Sequence, residues 1–129
     1  MKKASRSKTV KKLDTIFSIY IRRRFAVEDV AECFTCGVQR HYKELQCGHF
    51  QSRKNYATRW DPDNCRVQCY ACNCMKYGEQ YKFGLKLDKD HGKGLAESLL
   101  QKSKTTVKYS NDDLESLINL YNKLLIDLQ

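Results

Sequence analysis

Two Cys-x-x-Cys pairs, Cys33/Cys36 and Cys69/Cys72, bracket the middle of the chain. Four thiolates in two close pairs can surround a tetrahedral zinc ion, which takes sulfur ligands at about 2.3 Å and is closed when all four positions are filled. Such a site holds structure and does not activate water. Any fold of this chain must then bring residues 33–36 against residues 69–72, pinning both ends of the segment between them. The alternative, two buried or redox-active pairs, calls for a βαβ setting around one motif, and the sequence offers none.

The seven cysteines are an odd number, which argues against a complete disulfide framework. There is no apolar run of the ~20 residues that a membrane span needs, and no signal peptide with a hydrophobic centre. These readings predict a cytoplasmic protein without membrane contact, in a compartment where metal binding outranks disulfides. A chain of 129 residues is expected to form one domain with a modest core, better off with a staple.

The net charge of +9 is unevenly placed. Lys2, Lys3, Arg6, Lys8, Lys11, Lys12, Arg22, Arg23 and Arg24 face a single acid, Asp14, within residues 1–24, whereas the C-terminal stretch leans acidic around Asp112, Asp113, Glu115 and Asp127. A basic footprint of this kind suits nucleic acid. A solvated basic tail or a membrane-surface patch is the plainer reading.

Residues 1–9 read as a basic flexible tail and residues 10–129 as one domain, with a zinc-clamped core over 33–78 and a helical tail over 79–129. Val10, Leu13, Phe17 and Tyr20 recur at helical spacing and predict a helix from Val10 to Phe25. Leu45–Gln51 reads as a strand, 52–62 as a loop closing at the turn-forming Pro62, Asn64–Gln68 as the returning strand, and Tyr70–Tyr77 as a helix stopped by Gly78. That is a ββα unit. Gly84, Gly92 and Gly94 break up a Lys-rich connector of weak helical character. Ser110-x-x-Asp113 has the form of a capping box, and Leu114, Leu117, Tyr121, Leu124 and Leu128 mark the buried face of a last helix. The fold class is α+β: a small zinc-stapled ββα core flanked by N- and C-terminal helices.

Inside the clamp, His49 follows Gly48, where the backbone can approach a substrate closely. A histidine with a pKa near 6.5 is neutral at pH 7 and can take a proton from water. His41 and His91 lack that context and read as surface residues. Asn64 opens the return strand, where its amide can hold the facing loop. Asn73 follows Cys72, where its oxygen can coordinate a hard cation such as Mg²⁺ or Mn²⁺; helix capping is the competing role. Cys47, Cys65 and Cys74 read as small buried side chains, with Cys47 close to His49.

The runs Cys47-Gly48-His49-Phe50-x-Ser52-Arg53, Ala57-Thr58-Arg59-Trp60-Asp61, Asp63-Asn64 and Gln68-Cys69-x-x-Cys72-Asn73 closely resemble the NinG/Rap recombination nucleases of lambdoid phages. The likeness reaches upstream to Cys33-x-x-Cys36 and on to the last helix, and the cysteine–asparagine ending is similar to that of the phage resolvase endonuclease VII. The resemblance implies an HNH-like, zinc-containing endonuclease that cuts branched DNA, such as D-loops and Holliday junctions, leaving 3′-hydroxyl and 5′-phosphate ends. HNH enzymes usually carry a metal-binding acid immediately before the histidine, and Gly48 stands there instead. His49 is then the base or a metal ligand, and Asp61 and Asp63 are the carboxylates at hand.

The mechanism expected is single-metal phosphodiester hydrolysis, with His49, Asn64 and Asn73 as the catalytic set and Mg²⁺ or Mn²⁺ on Asn73. Arg53 and Arg59 in the loop, and Arg22, Arg23 and Arg24 on the first helix, are candidate phosphate contacts. Paired nicks on a four-way junction would favour a homodimer, an argument from the task alone. Two other classes stay open: a non-catalytic zinc-stabilised DNA-binding protein, and an adaptor in a phage recombination complex.

Overall fold

The computed structural model describes residues 5–128; Lys2 and Lys3 of the basic footprint lie outside them. Helix α1 spans Arg6–Arg23, started by Ser5, whose hydroxyl accepts from the Lys8 N–H at 3.3 Å. Residues 6–9 are therefore not tail but the first turn of a helix, because a serine cap satisfies donors that would otherwise face water alone. The buried stripe is Thr9, Leu13, Phe17 and Ile21, with Val10 and Tyr20 half-buried at its edge.

After α1, strands β1 (Val30–Glu32) and β2 (Gln39–His41) form an antiparallel hairpin. Its turn carries Cys33 and Cys36 and closes at Gly37, whose φ of 84° suits glycine and whose N–H donates to the Cys33 carbonyl at 2.9 Å. Strands β3 (Gln46–His49) and β4 (Cys65–Gln68) form a second antiparallel pair, with His49 opposite Cys65 and Cys47 opposite Val67. The stretch between them is more ordered than the expected loop: helix α2 occupies Tyr56–Arg59, and one 3₁₀ turn spans Pro62–Asn64.

Beyond β4 the expected α-helix over residues 70–77 is instead a π-helical turn, Ala71–Met75. It is halted by left-handed Tyr77 and by Gly78, whose N–H donates to the Cys72 carbonyl at 2.8 Å. The Lys-rich connector is two helices, α3 (Gln80–His91) and α4 (Leu95–Ser103). Gly92 and Gly94 separate them, but Gly84 lies inside α3. There a Cβ would meet the Phe50 ring at 3.2 Å, so Gly84 lets an aromatic side chain approach the helix.

Helix α5 (Asn111–Asp127) begins with a capping box in which Ser110 and Asp113 bond each other reciprocally at 3.0 and 2.9 Å. It packs on α1 to form the main core of Leu13, Phe17, Ile21, Trp60, Cys65, Leu114, Ile118 and Tyr121. Leu117 and Leu124 flank that core, while Leu128 is exposed because it caps the helix past the packed turns. A second core joins Phe83, Leu87 and Leu99 to Phe34 and Phe50. The chain is thus a mixed fold of helices and two short antiparallel strand pairs, as expected at that level. Among the described residues no helix is long and apolar enough to cross a membrane.

Candidate metal centre and cleft

The Cys33–Cys36 hairpin and the end of β4 bring four sulfurs together. The Sγ atoms of Cys33, Cys36, Cys69 and Cys72 all lie within 4.8 Å of one another, and Cys36 Sγ is 3.7 Å from Cys69 Sγ. Sulfurs around a tetrahedral zinc stand about 3.8 Å apart at the usual Zn–S length. Cys33 and Cys72 are buried. Burial works against a Cys33 thiolate, yet the backbone N–H groups around it and the Thr35 hydroxyl prevail and bring it down to about 6. Burial and its sulfur neighbours push Cys72 up to about 12. Side by side, these thiols need a cation before all four can ionise. The donor set fits a structural metal such as zinc.

A cleft of about 430 Å³ opens between α1 and β3. Asp14, Ser18, Gln46, His49, Arg53 and Asn73 are among the residues that line it. His49, at the end of β3, has its Nε2 2.9 Å from the Arg59 carbonyl. A carbonyl can only accept, so Nε2 carries the proton and Nδ1 keeps the lone pair. Burial, partly offset by the Arg59 carbonyl, pulls the imidazole below its ordinary pKa, with Arg53 adding to the fall. His49 is neutral at pH 7.

Asn64 is fully buried and closes the β3–β4 loop on itself. Its Oδ1 accepts from the Gln51 N–H at 2.8 Å, and its Nδ2 donates to the Gln51 and Thr58 carbonyls, each at 3.1 Å. Asn73 sits in the π-helical turn, its Nδ2 donating to Gln46 Oε1 at 2.7 Å, a bond that leaves its own amide oxygen without a partner among the described residues.

The arginines divide. Arg53 keeps 60% of its side chain exposed beside the cleft. Arg59, a candidate phosphate contact by sequence, is tied within the protein: its Nε and Nη2 donate to Asp14 and its Nη1 to the Arg53 carbonyl. All three nitrogens are engaged within the protein. Arg22 and Arg24 are likewise ties and not free phosphate forks. Arg22 bonds Ser18 and the Tyr42 carbonyl, and Arg24 bonds the carbonyls of Pro62 and Cys65 at 3.0 and 2.8 Å. Arg23 lies over the Tyr42 ring, 5.5 Å from its centroid.

Neither carboxylate expected near the histidine lines the cleft. Asp61 caps the 3₁₀ turn and receives Lys102 Nζ at 2.6 Å, while Asp63 contributes its backbone to the same turn. The acid that does line it is Asp14 on α1, which the sequence marks only as the lone acid among basic residues. Its Oδ1 also accepts from Trp60 Nε1 at 2.9 Å.

Gly48 has a steric reason to be glycine. A Cβ there would fall 2.0 Å from Gln68 Oε1. Gln68 is fully buried, its Nε2 donating to Thr35 and to the Gly78 carbonyl at 3.0 and 2.9 Å. An acid at position 48 would have no room.

Cleft, cysteine cluster and flanking helices all fall inside one match: the family model described as Bacteriophage Lambda NinG protein covers residues 1–129. The chain belongs to the NinG family. Within this NinG-family chain the four-cysteine cluster and His49 sit at opposite ends of one strand pair, Cys69 directly after β4 and His49 at the end of β3. No curated protein and no solved structure matches the chain.

Proposed function

We propose that this NinG-family chain is a metal-dependent DNA endonuclease with an HNH-like ββα core formed by β3, β4 and the turn after them. The observation that carries the reading is the held histidine: His49 Nε2 bonded to the Arg59 carbonyl, in a cleft that Asn73 also lines. A neutral imidazole with one nitrogen fixed by a carbonyl has its other lone pair available to take a proton from water. Water so activated attacks phosphorus. Asn64 holds the loop that supplies the Arg59 carbonyl, and so acts on the base from a distance.

The amide oxygen of Asn73, with Asp14 as the carboxylate of the cleft, would hold a hard divalent cation such as Mg²⁺ or Mn²⁺. Such an ion stabilises negative charge on the phosphate and on the leaving 3′ oxygen, and it ordinarily takes most of its oxygens from water and phosphate. Arg53, largely exposed beside a 3.4 Å contact with Asp14, and Arg23 are the candidates for the DNA backbone, since Arg22, Arg24 and Arg59 are engaged internally. Branched recombination intermediates, D-loops and Holliday junctions, are the substrate class that the family resemblance suggests.

The test is cleavage of labelled linear duplex, D-loop and four-way-junction DNA by zinc-loaded protein, with Mg²⁺, Mn²⁺ or EDTA. Metal-dependent nicking of the branched substrates supports the reading. Salt-sensitive binding without nicking under any metal would make the protein a DNA-binding module instead.

A further inference from the structure

Alternation along β3 places Cys47 and His49 on one face of the strand pair, and the register sets Cys65 opposite His49 on that same face. Their ligand atoms all lie within 4.8 Å of one another. Cys65 is fully buried, while Cys47 and His49 are half-buried and both line the cleft, so a solute ion can reach the trio. Two sulfurs and an imidazole in that space are a soft donor set, unlike the oxygens that suit Mg²⁺. Two thiolates and one imidazole are also the protein ligands of known three-ligand zinc sites with an open fourth position.

A cationic side chain stands beside the trio. Arg24 donates to the Cys65 carbonyl at 2.8 Å, which places its charge at the edge of the site. Cationic neighbours of this kind compensate negative sulfur when a metal displaces the thiol protons.

We propose that Cys47, His49 and Cys65 form a second metal site that takes a thiophilic divalent cation, Zn²⁺ being the natural one, and that its occupation silences the cleft. Binding through the free nitrogen of His49 consumes the lone pair needed for proton abstraction. Binding through Nε2 displaces the Arg59 carbonyl and frees the ring from its orientation. Either way the histidine cannot serve as base, and the inhibitory half of the proposal rests on the endonuclease reading above.

The test uses protein already holding one zinc per chain at the four-cysteine cluster, titrated with Co²⁺. The expected result is one further equivalent bound, with sulfur-to-cobalt charge-transfer absorption, no release of zinc, and loss of this signal in Cys47→Ser and in His49→Ala. Absence of the signal, its persistence in both variants, or its appearance only as zinc leaves would overturn the site. Cys47 is half-exposed, so its serine variant is expected to fold; retained zinc and circular dichroism check this. In a parallel assay, added Zn²⁺ stops Mn²⁺-supported cleavage by the wild type, and Cys47→Ser needs about tenfold more or greater. Cobalt binding with cleavage indifferent to Zn²⁺ would overturn the silencing. If no DNA is cut at all, the endonuclease reading fails while the cobalt titration still decides the site.

Discussion

The backbone carbonyl of Arg59 stands 2.9 Å from Nε2 of His49, and the side chain of the same Arg59 is gripped by Asp14 from α1. One residue thus links the first helix to the histidine of the cleft. Asp14 also holds the indole of Trp60, so two consecutive residues of the α2 end are fixed by a single carboxylate. The Tyr121 hydroxyl adds a bond to the Trp60 carbonyl at 3.2 Å from α5.

Asp14→Asn is the substitution that tests this linkage. The amide can no longer accept everywhere the carboxylate does, and it removes the charge that compensates Arg59. Loss of about 1–3 kcal/mol in unfolding free energy is expected, because partly buried donors lose their acceptor. Cleavage should fall more than stability accounts for, with kcat reduced at unchanged DNA affinity. Urea unfolding and single-turnover kinetics measure the two effects separately.

Gly48→Ala is expected to destabilise by about 1–3 kcal/mol, the usual cost of forcing a methyl into filled space. The added Cβ would collide with Gln68, which cannot withdraw without breaking its bonds to Thr35 and Gly78. Thermal unfolding of zinc-loaded protein reads this directly. A variant as stable as the wild type would show that Gln68 can move aside.

How much of this was legible beforehand differs by region. The two cysteine pairs predict the four-sulfur cluster because ligand spacing is local in sequence. Capping signals likewise gave α5, through Ser110 and Asp113. The Asp14–Arg59 pair could not be read, since it joins residues 45 positions apart and depends on how α1 lies across the loop. The Cys47, His49 and Cys65 trio was accessible in principle: strand alternation gives the first two, but the third requires the register of β4. Helices α3 and α4 are stronger than the weakly helical connector the sequence predicts, because Gly84 reads as a breaker when its partner, Phe50, is distant in sequence.

If the four-cysteine cluster holds zinc, as its donor set fits, stripping that metal should unfold the middle of the chain. Cys33 and Cys72 are buried, and without a cation their sulfurs crowd Cys36 and Cys69 with no compensating charge. Chelation strong enough to strip zinc is expected to abolish the cooperative transition of this region, and re-addition to restore it. Cys72→Ser should behave like the metal-free protein. Near-ultraviolet circular dichroism during chelator titration follows both.

The pH dependence follows from the lowered His49 pKa. Burial, the dominant cause, disfavours the charged ring, so the folded protein binds its proton less readily than the unfolded chain. Cleavage should therefore rise with pH and level off below pH 6.5, the ordinary imidazole value. For stability, the unfolded chain binds more protons below about pH 6.5, so the folded state loses stability as pH falls through that value toward the lower folded pKa. Above it His49 contributes no pH dependence. His49→Gln should flatten this part of a stability profile.

The most direct measurement compares wild type and His49→Ala on four-way-junction DNA with Mn²⁺, after both are shown to hold zinc and to fold. The wild type should nick the junction, and the variant should bind it with equal affinity and salt dependence but cut about 10²–10⁴-fold more slowly. Equal cutting by the two proteins would contradict the assignment of His49 as the base.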